Sequence, residues 1–255
     1  SIGAAALLNW CGTIIVPKEN RWFCKDGGAL FTIDKKTILK VPYEYGEECV
    51  IPEGVETIAA GVFVDRYDIS SVVLPESLKT IEDMAFCNCA ELKTIRIPAG
   101  VTTIGAEAFG GTPVAFEVDA NNKNYASLDG VFFIKDMTTL YCGGVVTKSD
   151  YTIPNGVEAV AVDAFWGCQT LQKVTVPEGV KSIRTMAFYG CSNLVSVTLP
   201  VSITKIGQMT FGDCSALTDI YYTGTEEQWK AIPVGYGNDA LTSATIHFNS
   251  APTGN

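Results

Sequence analysis

The sequence predicts an α/β protein leaning to mostly β: a solenoid in which each 23-residue repeat supplies one parallel strand, with β-hairpin insertions and capped ends. Three observations predict it. Six segments superimpose, at 51–63, 74–86, 97–109, 153–165, 176–188 and 199–211, as in VPEGVKSIRTMAF and LPVSITKIGQMTF. Their prolines, Pro52, Pro75, Pro98, Pro154, Pro177 and Pro200, are spaced by 23, 23, 56, 23 and 23 residues, the 56 being one period plus a 33-residue insertion. A shift of 102 residues then maps Gly28 onto Gly130, Phe31 onto Phe133, Asp34 onto Asp136, Ile51 onto Ile153 and Phe63 onto Phe165, so the chain reads as two tandem blocks.

Residues 1–24 are expected to form an N-terminal cap, with Trp10 and the apolar stretch 14–16 closing the stack. The first block, 25–127, opens with KDGGALFTIDKKTIL, and the second, 128–216, with LDGVFFIKDMTTLY. In both, a D-G step, an aromatic-rich run, a polar turn and a second apolar run read as a β-hairpin. Three regular units follow each hairpin, with the consensus A-F-x-x-C-x-x-L-x-x-V-x-L-P-x-x-V-x-x-I. A fixed period of this length carrying L-x-x-V-x-L marks a leucine-rich solenoid.

Within V-x-L the apolar residues alternate, so Val174 and Val176 should point inward while Lys173 and Thr175 point outward. The proline that follows has no N–H and ends the strand. The V-x-x-I half lacks strict alternation and should return as short extended or helical turns. No unit can bury its own apolar face, so copies must stack. Residues 217–255 read as a C-terminal cap. Thr225-Glu226-Glu227-Gln228 has the form of a capping box, Trp229 and Ile232 lie one helical turn apart, and 244–248 should make a final strand. All of this forms a single solenoid domain over 1–255.

Composition narrows the partners. The net charge of −10 has the wrong sign for gripping a phosphate backbone or an anionic membrane. The apolar run at 4–8 is broken by Asn9 and preceded by no basic residue, which fits neither a spanning helix nor an intact signal peptide; the chain reads as processed or trimmed, with any targeting segment not shown.

The nine cysteines do not form a metal or nucleophile pattern. Cys89, Cys168, Cys191 and Cys214 recur at one register position, with Arg66 and Thr112 as departures, and read as a structural ladder inside the coil. Parallel side chains on adjacent rungs disfavour S–S bonds, which leaves only Cys11, Cys24, Cys49, Cys87 and Cys142 for a disulfide. Cys87-Asn88-Cys89 lacks the partners of a zinc site. Residues 119–124, DANNKN, lack the glycine and bidentate glutamate of a calcium loop and read as a polar turn. His247 is the sole histidine, no nucleophile elbow accompanies it, and it reads as an edge-strand residue. No phosphate-binding glycine motif occurs; Gly54, Gly100, Gly156 and Gly179 mark turns. No cofactor is expected, and no enzymatic activity.

The unit I-P-x-G-V-x-x-I-x-x-x-A-F-x-x-C-x-x-L, met nearly in full at 176–194, the D-G hairpins and the closing YYTGTEEQWKAI together resemble the BspA-like leucine-rich repeat proteins. The resemblance covers 25–248. It implies a curved right-handed solenoid from secreted or cell-surface proteins of mucosal bacteria, whose best-known members are implicated in adhesion to host matrix proteins or other bacteria. The expectation is therefore a protein-interaction or adhesion module with a protein or glycan ligand. Its concave sheet would offer the outward row Ser71 and Val73, Thr94 and Arg96, Lys173 and Thr175, Ser196 and Thr198, Asp219 and Tyr221. A passive spacer is the alternative.

Overall fold

The computed structural model describes residues 14–43, 46–144 and 148–250. Most of the expected N-terminal cap, Trp10 included, lies outside the described residues; Ile14 is buried and Ile15 exposed. The chain divides into two compact units, Ser1–Ser127 and Leu128–Asn255.

The first unit opens with an antiparallel meander of β1 (Phe23–Asp26), β2 (Ala29–Thr32) and β3 (Thr37–Lys40). Gly27 and Gly28 join β1 to β2 with φ of 52° and 97°, the positive pair that a tight hairpin turn demands. The repeats follow as β4 (Glu48–Val50), β5 (Thr57–Ile58), β6 (Ser71–Val73), β7 (Thr80–Ile81), β8 (Thr94–Ile97), β9 (Thr103–Ile104) and β10 (Ala115–Val118). The V-x-L strands pair in parallel, β4 with β6 and β8 with β10. The half-repeat after each proline is extended rather than helical: its Thr-Ile steps β5, β7 and β9 form a second parallel ladder that continues from β3. Each repeat thus carries two strands, the second only two residues long.

β11 (Tyr125–Leu128) spans the division between the units. The second unit repeats the plan with β12 (Val131–Ile134), β13 (Thr139–Cys142), β14 (Asp150–Thr152), β15 (Ala159–Val160), β16 (Lys173–Thr175), β17 (Ser182–Ile183), β18 (Ser196–Leu199), β19 (Lys205–Ile206) and β20 (Asp219–Tyr222). Two short helices, α1 (Glu226–Lys230) and α2 (Asp239–Ser243), lead to β21 (Thr245–Phe248). One sheet runs β14-β16-β18-β20-β21, all parallel; the other runs β12-β13-β15-β17-β19. The capping box forms as read: the Gln228 N–H donates to Thr225 Oγ1, and the Thr225 N–H to Gln228 Oε1.

Between the V-x-L strands and the ladder of short strands in each unit lies a core layered by the repeat. In the second unit Val174, Val197 and Ile220 make one row and Val160, Ile183 and Ile206 another, all essentially inaccessible to water. The A-F corners stack their rings: Phe63 on Phe86 at 4.8 Å and Phe86 on Phe109 at 5.2 Å, then Phe165 on Phe188 at 4.9 Å and Phe188 on Phe211 at 5.4 Å. The backbone locks these corners, with the Phe165 N–H donating to Ala187 O and the Phe188 N–H to Thr210 O. Asn122, in the polar turn that opens the insertion, is fully buried. It donates to Pro98 O and Val101 O, and accepts from the Asn124 and Tyr125 amides.

Candidate functional site

The cysteine position is an internal hydrogen-bond post. The Sγ of Cys89, Cys191 and Cys214 donates to Phe63 O, Phe165 O and Phe188 O at 3.2, 3.1 and 3.1 Å, the phenylalanine corner of the preceding repeat. Thr112, one of the two departures, does the same with its hydroxyl toward Phe86 O. Arg66, the other, is buried with its guanidinium on Asp68, Pro42 O and Gly46 O. Burial pushes the thiols of Cys89 and Cys214 up to about 12 and that of Cys191 higher still, so they stay protonated and unreactive. Cys168 differs. It is only half-buried and faces Thr170 Oγ1 at 3.2 Å, because 26 residues before it lies Cys142 of hairpin strand β13 instead of a phenylalanine corner. The eight described cysteines are free thiols, and among the described residues no three His, Cys, Asp or Glu side chains gather as a metal site.

The outward strand face differs between the units. In the first, Val50 and Val73 sit side by side and stand 61% and 53% exposed, next to half-buried Ser71. Thr94 and Arg96 are exposed on β8, but Arg96 is clamped: its guanidinium donates to Glu76 at 2.6 Å and to Asp119 at 2.7 Å. Its charge is already neutralised at the surface.

In the second unit the register aligns two outward rows. One is Asp150, Lys173, Ser196, Asp219 and Thr245; the other is Thr152, Thr175, Thr198, Tyr221 and His247. Lys173 pairs with Asp150 at 3.7 Å. Ser196 and Thr198 are 8% and 5% exposed: Ser196 lies between the longer Lys173 and Asp219, and Thr198 between Thr175 and the longer Tyr221. They form the floor of this face rather than its contact points. Asp219 and Tyr221 rise above it.

His247, read from sequence as a plain edge residue, completes that end of the face. Its Nε2 lies 2.7 Å from Asp219 Oδ1, and its ring stacks on Tyr221 with centroids 4.7 Å apart. The hydrogen bond from His247, then that from Thr218, holds the Asp219 carboxyl below the usual carboxylate range. The period could not reveal this neighbour: Tyr221 follows Thr198 by 23 residues, but His247 follows Tyr221 by 26, because the cap inserts α1 and α2 into the last turn. Together Asp219, Tyr221 and His247 present an acid, a phenol and an imidazole above a floor of small hydroxyls.

A parallel solenoid with a recurring cysteine post and stacked phenylalanine corners is a repeat protein of the leucine-rich class. The model of the BspA type leucine rich repeat region matches residues 44–148 and 141–231, in six copies. The chain belongs to that family. Among solved structures it is similar to the pneumococcal vaccine antigen PcpA, with a TM-score of 0.64 and 23% identity over 81% of this chain and 57% of that one. It spans little more than half of that protein. A leucine-rich repeat protein from Eubacterium ventriosum is similar with a TM-score of 0.57 and 21% identity, over 86% of this chain and 75% of the other. At these identities the likeness is one of fold. No curated protein matches in sequence. Among the described residues no helix is long and apolar enough to cross a membrane.

Proposed function

We propose that this chain is a non-enzymatic interaction and adhesion module of a bacterial cell-surface or secreted protein, which binds a protein or glycan ligand through its outward strand face. The observation that carries the reading is the cluster of Asp219, Tyr221 and His247 at the end of the second unit's sheet. A repeat array otherwise spreads its polar groups in rows. Here an aromatic pair and a carboxylate converge beside a shallow hydroxyl floor, the kind of anchor that dominates interface energetics. The net charge of −10 argues against nucleic acid as the partner. The family's surface-protein members supply the localisation by analogy.

The test is binding of the chain to immobilised matrix proteins and mucin-type glycans, repeated with Tyr221→Ala and with Arg96→Ala. Binding lost in Tyr221→Ala and retained in Arg96→Ala, whose guanidinium is already held by two carboxylates, supports the reading. Uniform absence of binding, or binding indifferent to Tyr221, leaves the passive spacer as the better account.

A further inference from the structure

The two units differ in charge at one place where their backbones correspond. Just past the two-residue strands the chain turns, and the next amide leaves the ladder. In the first unit the chain's own carboxylates take two of the three such amides: the Ala60 N–H donates to Glu82 Oε2 at 3.0 Å and the Ala106 N–H to Asp83 Oδ1 at 2.8 Å, while the Asp83 amide between them has no protein acceptor among the described residues. The 102-residue shift carries Ala60 to Val162, Ala106 to Gln208, Glu82 to Arg184, Asp83 to Thr185 and Thr103 to Lys205. Both carboxylates are gone and two cations have arrived. Among the described residues the N–H groups of Val162, Thr185 and Gln208 have no protein acceptor.

A groove of about 320 Å³ on the second sheet of the second unit is walled by Val162, Ser182, Arg184, Thr185, Lys205 and Gly207. Neither Arg184 nor Lys205 has an ion-pair partner among the described residues, whereas Lys173, Lys181 and Lys230 of that unit each have one. Gly207 lets the neighbouring rung approach closely: a Cβ there would lie 2.4 Å from the Thr185 nitrogen, as one at Gly105 would lie 2.5 Å from the Asp83 nitrogen.

We propose that this groove binds the carboxylate of a ligand, which takes the place that Glu82 fills on Ala60 in the first unit. Arg184 supplies a forked, charge-assisted donor, Lys205 a second cation, and the Val162 amide, whose counterpart Ala60 donates to Glu82, a backbone donor. The volume lies at the small end of ligand sites, enough for one sugar-sized acid. The chain's net charge of −10 disfavours polyanions, so a single carboxylate, on an acidic sugar or an acidic side chain, is the chemistry that fits. The groove lies on the opposite sheet from Tyr221 and stands whether or not that face binds.

The experiment is an amide-resolved NMR titration of the full chain with glucuronate, with N-acetylglutamate amide, and with glucose as the neutral control. Saturable shifts at Val162 and Thr185 with either acid, absent with glucose, are expected, and the tighter acid names the source. Arg184→Gln should weaken the tighter acid about tenfold, the loss of one charge-assisted pair, while leaving the fold's amide spectrum intact elsewhere. Arg184→Glu gives an independent reading: the new carboxylate should cap Val162 from within, moving its resonance without ligand and abolishing acid binding. Silence of both acids, equal shifts with glucose, or a Val162 resonance unmoved in Arg184→Glu overturns the proposal.

Discussion

Phe188 is the residue whose removal tests the stacking of the repeats most directly. Its ring is fully buried between Phe165 at 4.9 Å and Phe211 at 5.4 Å, with interplanar angles of 4° and 3°. Phe188→Ala removes a buried aromatic ring from a core that cannot collapse, since both flanking rings are held by their own repeats, and should cost about 3–5 kcal/mol. Phe211 is equally buried but has Phe188 as its one ring partner among the described residues. The transfer and cavity losses being alike, Phe211→Ala should be milder by the worth of one ring pair, about 0.5–1.5 kcal/mol. Urea unfolding of the two single variants and the double variant measures both the difference and the coupling, which should have the same size. Equal losses for the two positions, coupling below a few tenths, or a Phe188→Ala loss under about 1 kcal/mol would refute the idea that the rings act as a stack.

Three further outcomes are expected. Cys191→Val should cost about 0.5–1.5 kcal/mol in thermal unfolding. It deletes the thiol donor to Phe165 O, which keeps the Cys168 amide as its other partner; Cys191→Thr should be nearly neutral, since Thr112 already does this task with a hydroxyl. Glu56 lies between Lys36 at 2.8 Å and Lys79 at 2.7 Å, whose hydrogen bonds, that from Lys36 first, push its carboxyl down to about 2. Because the native value is depressed, the group's stabilisation is present above the ordinary carboxylate range and is lost as pH falls toward about 2; carboxyl NMR titration should show this, and Lys79→Gln should raise the midpoint. Thr225→Ala should lower stability by about 1 kcal/mol, read by thermal melting, because it uncaps α1 and frees Gln228.

Much of the repeat was legible because stacking leaves a fixed mark on the chain. A rung can lie on its neighbour only if both carry apolar residues at the same register, so the proline spacing of 23 and the V-x-L alternation announced parallel strands with Val174, Val197 and Ile220 inside. The hairpin units and the Thr225 capping box were legible for a similar reason: each depends on a few neighbouring residues with demanding backbone angles or donors. The V-x-x-I half was read only as extended or helical turns, because two-residue strands are too short to show a period; their hydrogen bonds come from adjacent repeats.

The candidate sites were less legible. Sequence could not show that Ser196 and Thr198 are buried on their strands or that Arg96 is spent on Glu76 and Asp119. Nor could it show that Cys168 turns to Thr170 instead of a phenylalanine corner.

By itself, then, the amino-acid order determined the repeating unit, its strands, its buried faces and its cysteine post, since these follow from apolar periodicity and turn chemistry written within one or two repeats. Only the tertiary structure decided which outward groups remain available. It placed His247 beside Asp219 and Tyr221, and it left the Val162 and Thr185 amides beside Arg184 and Lys205. The physical reason is that availability depends on what lies on the neighbouring rung, and at the ends and between the blocks that neighbour departs from the period.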